Sequence, residues 1–244
     1  MPTMQESLVA LWKMDDSLPS KVVLDSSGNG YNGTAQRNTN LMHVAGKIGG
    51  ALNFNGTTDY VDTGETFEST FQNSFSISGW FKTDRAINSQ FILGIDSIDE
   101  MDLIFIPLTS GRETGLSHIS GGVSSTGNDF GKYILNEWYF FVGVAEQTSP
   151  TTSKFYWYKN GILVNSSDGN SLDQYASFAI PKSLYIGKEN TESGAGIFTG
   201  LLDDVRIYNK ALSANEVKQL YNESNSDQMR LNSTGEQLFS YLGV

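Results

Sequence analysis

The sequence predicts an all-β protein: two stacked antiparallel sheets in a jelly-roll sandwich, closed by one short C-terminal helix. Three observations support this. Apolar and polar residues alternate with period two in about eleven segments. Glycine is plentiful (25 residues) and proline scarce (5), which suits strands joined by tight turns. Only one stretch, near the C-terminus, carries helical punctuation.

The elements follow in order. LVALWKM (8–14) sets Leu8, Ala10, Trp12 and Met14 on one face. ALNFN (51–55), DYVDTG (59–64), SFSISGWFKT (74–83), QFILGID (90–96), MDLIFIP (101–107) and GLSHIS (115–120) come next. NEWYFFVGVAEQ (136–147), KFYWYKNGILVNSS (154–167), SLYIGKE (183–189) and LLDDVRIYN (201–209) complete the strands. SSGNGYNG, FNGTTD, ISGGVSSTGND and TESGAG divide them as turns and loops. In KFYWYKNGILVN, Asn160-Gly161 supplies the positive φ angles of a type I′ hairpin turn. Ser213 and Glu216 form a capping box ahead of the apolar stripe Val217, Leu220, Tyr221.

At 244 residues the chain buries one sizeable core, read as a single domain over 1–222 with a tail at 223–244 that ends in the apolar LFSYLGV. The formal charge of −11 argues against nucleic acid and against anionic membrane surfaces. It suits calcium, a hard cation that takes oxygen ligands. No cysteine is present, so disulfides and thiolate metal sites are excluded. MPTMQESLVALWKMDDS lacks the basic and apolar regions of a signal peptide, and no run approaches the ~18 apolar residues of a membrane helix. The expected location is extracellular or on the surface of a virus particle, reached without a leader in this chain.

Paired acids stand at the head of the last strand. Strict alternation puts Asp203 with Val205 and Ile207 on the core face, and Leu202, Asp204, Arg206 and Tyr208 on the other. An ionised carboxylate facing a core must be paired or metal-bound. Amide groups of the SSGNG loop, or a calcium ion, would serve it; Arg206 points away.

Several blocks, in order, resemble laminin-G-like jelly-roll domains of the concanavalin A-like lectin/glucanase superfamily. LVALWKMDDS with LDSSGNGYNGTA is similar to their opening, and AGKIGGALNFNGTTDYVDTG to their second block. SFSISGWFKT, NEWYFFVGVAEQ and FYWYKNGILV match the core strands, and GLLDDVRIYNKALSANEVKQLY the closing strand and helix. The resemblance spans residues 7–222; the 85–135 region departs from the pattern, and the tail has no counterpart. It implies a calcium held between the first strand, an adjoining glycine turn and the last strand. The ligands carried over are Asp15, Asp25, Asn29 or Gly30, and Asp203 with or without Asp204. The alternative is that Asp25 and Asp203 accept N–H bonds from tight turns. On either reading the acids fasten the chain's two ends together.

The superfamily also contains retaining glucanases with an E-x-D-x-E strand, whose carboxyls sit ~5–5.5 Å apart. Here Glu100 and Asp102 are followed by Ile104 and Phe105, so the set is incomplete and the expectation is no enzyme. His43 and His118 are isolated and lack metal-site spacing. NGT at 32–34 and 55–57 fits the glycosylation sequon, but both sit in self-explanatory turns. Trp12, Trp80 and Trp138 are expected in the core. Sugar platforms are sought among Tyr133, Tyr156, Trp157 and Tyr175, each with a bland alternative as a rim residue. The functional expectation is a calcium-stabilised, non-catalytic lectin-like module for carbohydrate or a glycosylated surface. The alternatives are a structural or interaction protein on a virus particle or extracellular appendage, whose tail meets other subunits, and, behind it, a glycoside hydrolase.

Overall fold

The computed structural model describes residues 2–85, 90–94, 104–106, 117–120, 123–126, 133–170, 172, 183–188 and 196–225, with the backbone alone for 104–106, 117–120, 123–126 and 170. Among these residues lie sixteen strands: β1 (Leu8–Trp12), β2 (Val22–Val23), β3 (Gly33–Ala35), β4 (His43–Ala45), β5 (Gly50–Asn55), β6 (Val61–Asp62), β7 (Phe75–Lys82), β8 (Gln90–Gly94), β9 (Ile104–Ile106), β10 (Ser117–Ser120), β11 (Val123–Thr126), β12 (Tyr139–Ser149), β13 (Thr152–Lys159), β14 (Ile162–Asn170), β15 (Tyr185–Ile186) and β16 (Thr199–Tyr208). Among the described residues two α-helices and one 3-10 turn (Thr39–Leu41) join them: the single turn α1 (Glu68–Phe71) and α2 over 214–225.

Eight strands form the larger sheet, in the order β14-β13-β12-β7-β16-β5-β4, with β1 added against β16. Six form the second, β2-β3-β6-β15-β8-β9, and β10 with β11 makes a separate hairpin. Every ladder is antiparallel. The two-sheet sandwich is as expected. The extra hairpin is not: β11 falls within ISGGVSSTG, which the glycines suggested was a loop.

One core fills the space between the sheets, with Trp12, Phe54, Phe75, Phe81, Phe141 and Phe155 among its members. A second cluster, including Trp80, Phe140, Tyr158 and Tyr208, lies on the opposite face of the larger sheet beneath Val217 and Leu220 of α2. Because both faces of the larger sheet are covered, β7 is buried along almost its whole length, Ser76 and Ser78 included, and so is the first half of β12. The hairpin turn has φ +51 at Asn160 and +76 at Gly161, as its sequence demands.

The capping box forms: the Ser213 hydroxyl donates to the Glu216 carboxylate at 2.8 Å, and that carboxylate accepts the Ser213 N–H at 2.9 Å. Tyr221 then lies against Trp80 and Phe140, with ring centroids 5.8 and 5.9 Å away. The helix runs to residue 225, three residues into the segment read as a tail, and there Ser224 is buried, its hydroxyl donating to the Leu220 carbonyl. Residues 226–244, including LFSYLGV, lie outside the described residues.

Candidate functional site

The first and last strands do lie side by side, with Leu8 opposite Tyr208 and Trp12 opposite Val205. Along β16 the partner changes: β5 pairs with Thr199–Leu202, and β1 takes over from Val205. Asp203 and Asp204 occupy the exchange point. There the register against β7 slips, and Asp204 adopts φ +53, the left-handed conformation that Asp tolerates better than most residues.

That bulge corrects the face assigned by alternation. Leu202, Val205 and Ile207 all face the inter-sheet core, while Asp203 pairs with Trp80 on the helix-covered face. Arg206 comes to the same face, opposite Ser78, and its guanidinium meets Asp204 at 2.6 Å. The amides serving Asp203 are not those of the SSGNG loop. They belong to the turn between β4 and β5: Asp203 Oδ2 accepts the N–H groups of Lys47 and Ile48, both at 2.8 Å. Asp15 grips the same turn, its Oδ1 accepting the Gly50 N–H at 2.6 Å. The turn needs its glycines. A Cβ on Gly46 would fall 2.0 Å from the Gly50 carbonyl oxygen, and Gly49 has φ +69.

Asp203 is fully buried, and its Oδ1 has no hydrogen-bond partner. Burial, with the neighbouring charges of Asp204 and Asp15, outweighs the two amide bonds and pushes its carboxyl up to about 8. Lys47, whose ammonium sits 4.8 Å from the Trp80 ring centroid, covers this spot.

Asp25 is a different kind of acid. Its Oδ1 accepts from the N–H groups of Leu11 (2.9 Å) and Ser27 (2.8 Å). Its Oδ2 accepts from the Ser27 hydroxyl (2.7 Å) and the Tyr31 N–H (3.0 Å). Burial works against ionisation, but these four bonds prevail and hold the carboxyl below its ordinary range. Asn29 spends its amide donors on the carbonyls of Leu8 and Val9, and Gly30 supplies a positive φ. A carboxylate has about four lone-pair sites, so Asp25 is saturated by the chain itself and does not fit a cation in this arrangement.

The six residues suggested for calcium therefore separate. Asp25, Asn29 and Gly30 form an amide knot around β1, and Asp204 is neutralised by Arg206. Asp15 and Asp203 converge on the 46–50 turn and, with the unpartnered Asp203 Oδ1, are the two that suit a cation. Among the described residues no three His, Cys, Asp or Glu side chains are grouped to hold a metal; further oxygens would have to come from carbonyls or water. Asp59, not singled out from the sequence, is a structural acid: Arg37 clamps both its oxygens at 3.0 Å.

The smaller sheet supplies the other candidate. Ala35, Val61, Ile186 and Leu93 stand side by side across β3, β6, β15 and β8, all buried in the core. The neighbouring row, Val22, Thr34, Asp62 and Tyr185, consequently points outward across β2, β3, β6 and β15, and ends at Gly94 of β8, which is buried. Tyr60, just before β6, stacks on Tyr185 with centroids 4.8 Å apart and planes at 26°. The Lys188 ammonium lies 4.7 Å from the Tyr60 centroid and 5.5 Å from that of Tyr185. This face offers aromatic surface, an acid and an ammonium within one patch. The signal was in the sequence: with Val61 and Ile186 inward, Tyr60, Asp62 and Tyr185 must face out.

The aromatics first considered are placed differently. Trp157 is 2 % exposed in the core, so its ring has no free face for a sugar. Tyr156 is the outward member of that pair, its hydroxyl donating to Glu146 at 3.0 Å. Tyr133 packs edge-on against Phe81 and Tyr139 at the rim of the core. Trp12 and Trp80 are buried as expected, whereas Trp138 is only half-buried at the edge of the second cluster. Tyr175, Glu100, Asp102 and His118's side chain fall outside the described residues.

Two face-packed antiparallel sheets with this strand order define a lectin-type jelly roll. The chain belongs to the concanavalin A-like lectin/glucanases superfamily: a laminin-G-type family model matches residues 55–218. No curated protein sequence matches it significantly. Among solved structures it is similar to domain 4 of AbnA, a GH43 extracellular arabinanase from Geobacillus stearothermophilus, in complex with arabinotriose. There the TM-score is 0.61 at 21 % identity, covering 88 % of this chain and 98 % of that domain. It is also similar to the receptor-binding domain of a botulinum neurotoxin C/D mosaic serotype (TM-score 0.63, 15 % identity), covering 90 % of this chain and 52 % of that one. A Trypanosoma rangeli sialidase gives a TM-score of 0.61 at 17 % identity, over 90 % of this chain and 33 % of the enzyme. The chain thus spans about half and a third of those two longer proteins.

Proposed function

We propose that this chain is a non-catalytic, lectin-like recognition module that binds carbohydrate or a glycosylated surface. The carrying observation is the outward row Thr34–Asp62–Tyr185 with Tyr60 and Lys188 beside it. Stacked rings receive the apolar face of a sugar, while carboxylate, hydroxyl and ammonium groups take its hydroxyls. The AbnA domain, whose structure contains arabinotriose, supports a sugar-binding use of this fold. The incomplete glucanase set at Glu100 and Asp102 supports a role without hydrolysis. An extracellular setting accords with the similarity to a domain of an extracellular arabinanase.

Calcium, in this reading, is a stabilising ion at Asp15 and Asp203 with carbonyls of the 46–50 turn, and Asp25 is not among its ligands. When bound it supplies a charge that satisfies Asp203 Oδ1. Glycan-array screening of the wild-type protein and of Tyr185→Ala, with and without chelator, tests the recognition role. Binding lost in the variant supports it; silence of the folded wild-type protein across a broad panel overturns it.

A second reading, a structural or interaction protein on a particle or appendage, is favoured by one observation. The edge strand β14 leaves Ile162, Leu163 and Val164 exposed by 69, 48 and 38 %.

A further inference from the structure

We infer that the ligand of the smaller sheet's outer face is an acidic sugar, whose carboxylate is received by Lys188. This rests on the reading that the face binds carbohydrate, and it adds the chemical class.

Lys188 is placed by the backbone. Gly187 has φ +84, and a Cβ there would sit 2.6 Å from the Phe54 ring, so only glycine lets the chain turn immediately after β15. The turn is pinned by the Gly187 N–H to the Ile92 carbonyl at 2.7 Å and by the Phe198 N–H to the Gly187 carbonyl at 2.8 Å. Lys188 follows at once, over the two tyrosines. Core geometry therefore sets where the Lys188 side chain leaves the backbone.

Its charge is uncommitted. Among the described residues the ion pairs are Arg37–Asp59, Lys154–Asp168, Arg206–Asp204 and Lys210–Glu216, and Lys188 belongs to none. In a chain of net charge −11, a half-buried lysine whose ammonium lies over two ring faces and, among the described residues, in no ion pair is an unusual resource. A π face attracts a cation without consuming its three N–H donors, which stay free for an anion.

The patch is also polar along its length. Asp62 is the register partner of Tyr185 and uses one oxygen for the Gly64 N–H at 2.8 Å. It repels a sugar carboxylate but accepts sugar hydroxyls. An acidic sugar is thereby oriented, with its carboxylate toward Lys188 and its hydroxyls toward Asp62 and Thr34.

The test is isothermal titration with two matched pairs, sialyllactose against lactose and trigalacturonate against its methyl ester. It is run on the full chain, on Lys188→Gln and on Lys188→Arg. At least one acid should bind about fivefold tighter than its neutral partner, the range of a partly exposed ion pair. The preference should vanish in Lys188→Gln, survive in Lys188→Arg and shrink as salt rises. Equal binding of acid and neutral sugar overturns the acidic class and leaves sugar recognition standing. A preference that persists in Lys188→Gln overturns the assignment to Lys188. No binding by these four probes also overturns the acidic class. Only silence across the broad array, with the protein folded, overturns recognition itself.

Discussion

Asp203 stands opposite Trp80 across β16 and β7, yet the next matched pair on that face is Arg206 with Ser78. Three steps along β16 thus answer two along β7, and the extra residue is Asp204, in its left-handed conformation. One inserted residue moves Asp203 out of the inter-sheet core and under the 46–50 turn, where amide groups await it. The same bulge lets one strand serve β5 with its first half and β1 with its second. The acids mark a junction, which is why they are paired.

The first prediction concerns pH. The Asp203 carboxyl, raised to about 8 by burial, binds a proton in the folded chain that the unfolded chain, near 4, has already released. The sign follows: this group's stabilisation is complete below about pH 4 and is lost as pH rises toward about 8. Asp203→Asn keeps an oxygen for the Lys47 and Ile48 amides and carries no charge. It should be more stable than wild type at pH 8, with a flatter urea midpoint between pH 5 and 8. A wild-type midpoint that does not fall over that window would contradict the shift.

The second concerns the bulge itself. Asp204→Ala removes the partner of a largely but not fully buried guanidinium and forces alanine to φ +53, so a loss of about 2–3 kcal/mol is expected. Asp204→Gly loses the same ion pair but not the backbone comfort, and should recover about 1–2 kcal/mol of it. Equal urea midpoints for the two variants would show that conformation contributes nothing at this position.

How much of this was legible beforehand depends on the kind of signal. Alternation located most of the longer strands, and S-x-x-E located α2, because both are local. Asn160-Gly161 fixed its own turn for the same reason. Alternation failed at Asp203 because a bulge is set by what pairs on both sides of a strand, and no neighbour of Asp203 in sequence reports that. β2, β3 and β4 are two or three residues long, too short to show a period. The Lys47–Gly50 turn was visible as glycines, but its contact with a carboxylate 155 residues away was not. Tyr185 was readable from Ile186 beside it, yet Tyr60 joins it only because β6 and β15 pair.

The third prediction separates the two acidic sites. Asp25→Ala strands the N–H groups of Leu11, Ser27 and Tyr31, a loss of about 3 kcal/mol, and should lower the melting temperature equally with and without calcium. Any calcium-induced rise in melting temperature should instead disappear in Asp203→Asn and persist in Asp25→Asn. The reverse pattern would return the ion to the Asp25 loop. A wild-type melting temperature indifferent to both calcium and chelator would remove the metal from the proposal.

The fourth addresses β14. It ends the larger sheet's path, hydrogen-bonded to β13, and β11 approaches it without joining its ladder. Protected edge strands usually carry a lysine, a proline or a cover. Here the strand opens with three consecutive apolar residues, and the register slip between Trp157 and Tyr158 leaves Val164 as the unmatched one. Such a strand invites another backbone, so light scattering should show self-association that grows with protein concentration. Leu163→Lys and Val164→Lys place a charge on an already exposed position, and each should shift the equilibrium toward monomer while changing stability by less than about 0.5 kcal/mol. Association unaffected by either change would place the interface elsewhere. A wild-type chain that stays monomeric at every concentration would withdraw the edge from self-assembly and leave sugar recognition as the role that the exposed surface serves.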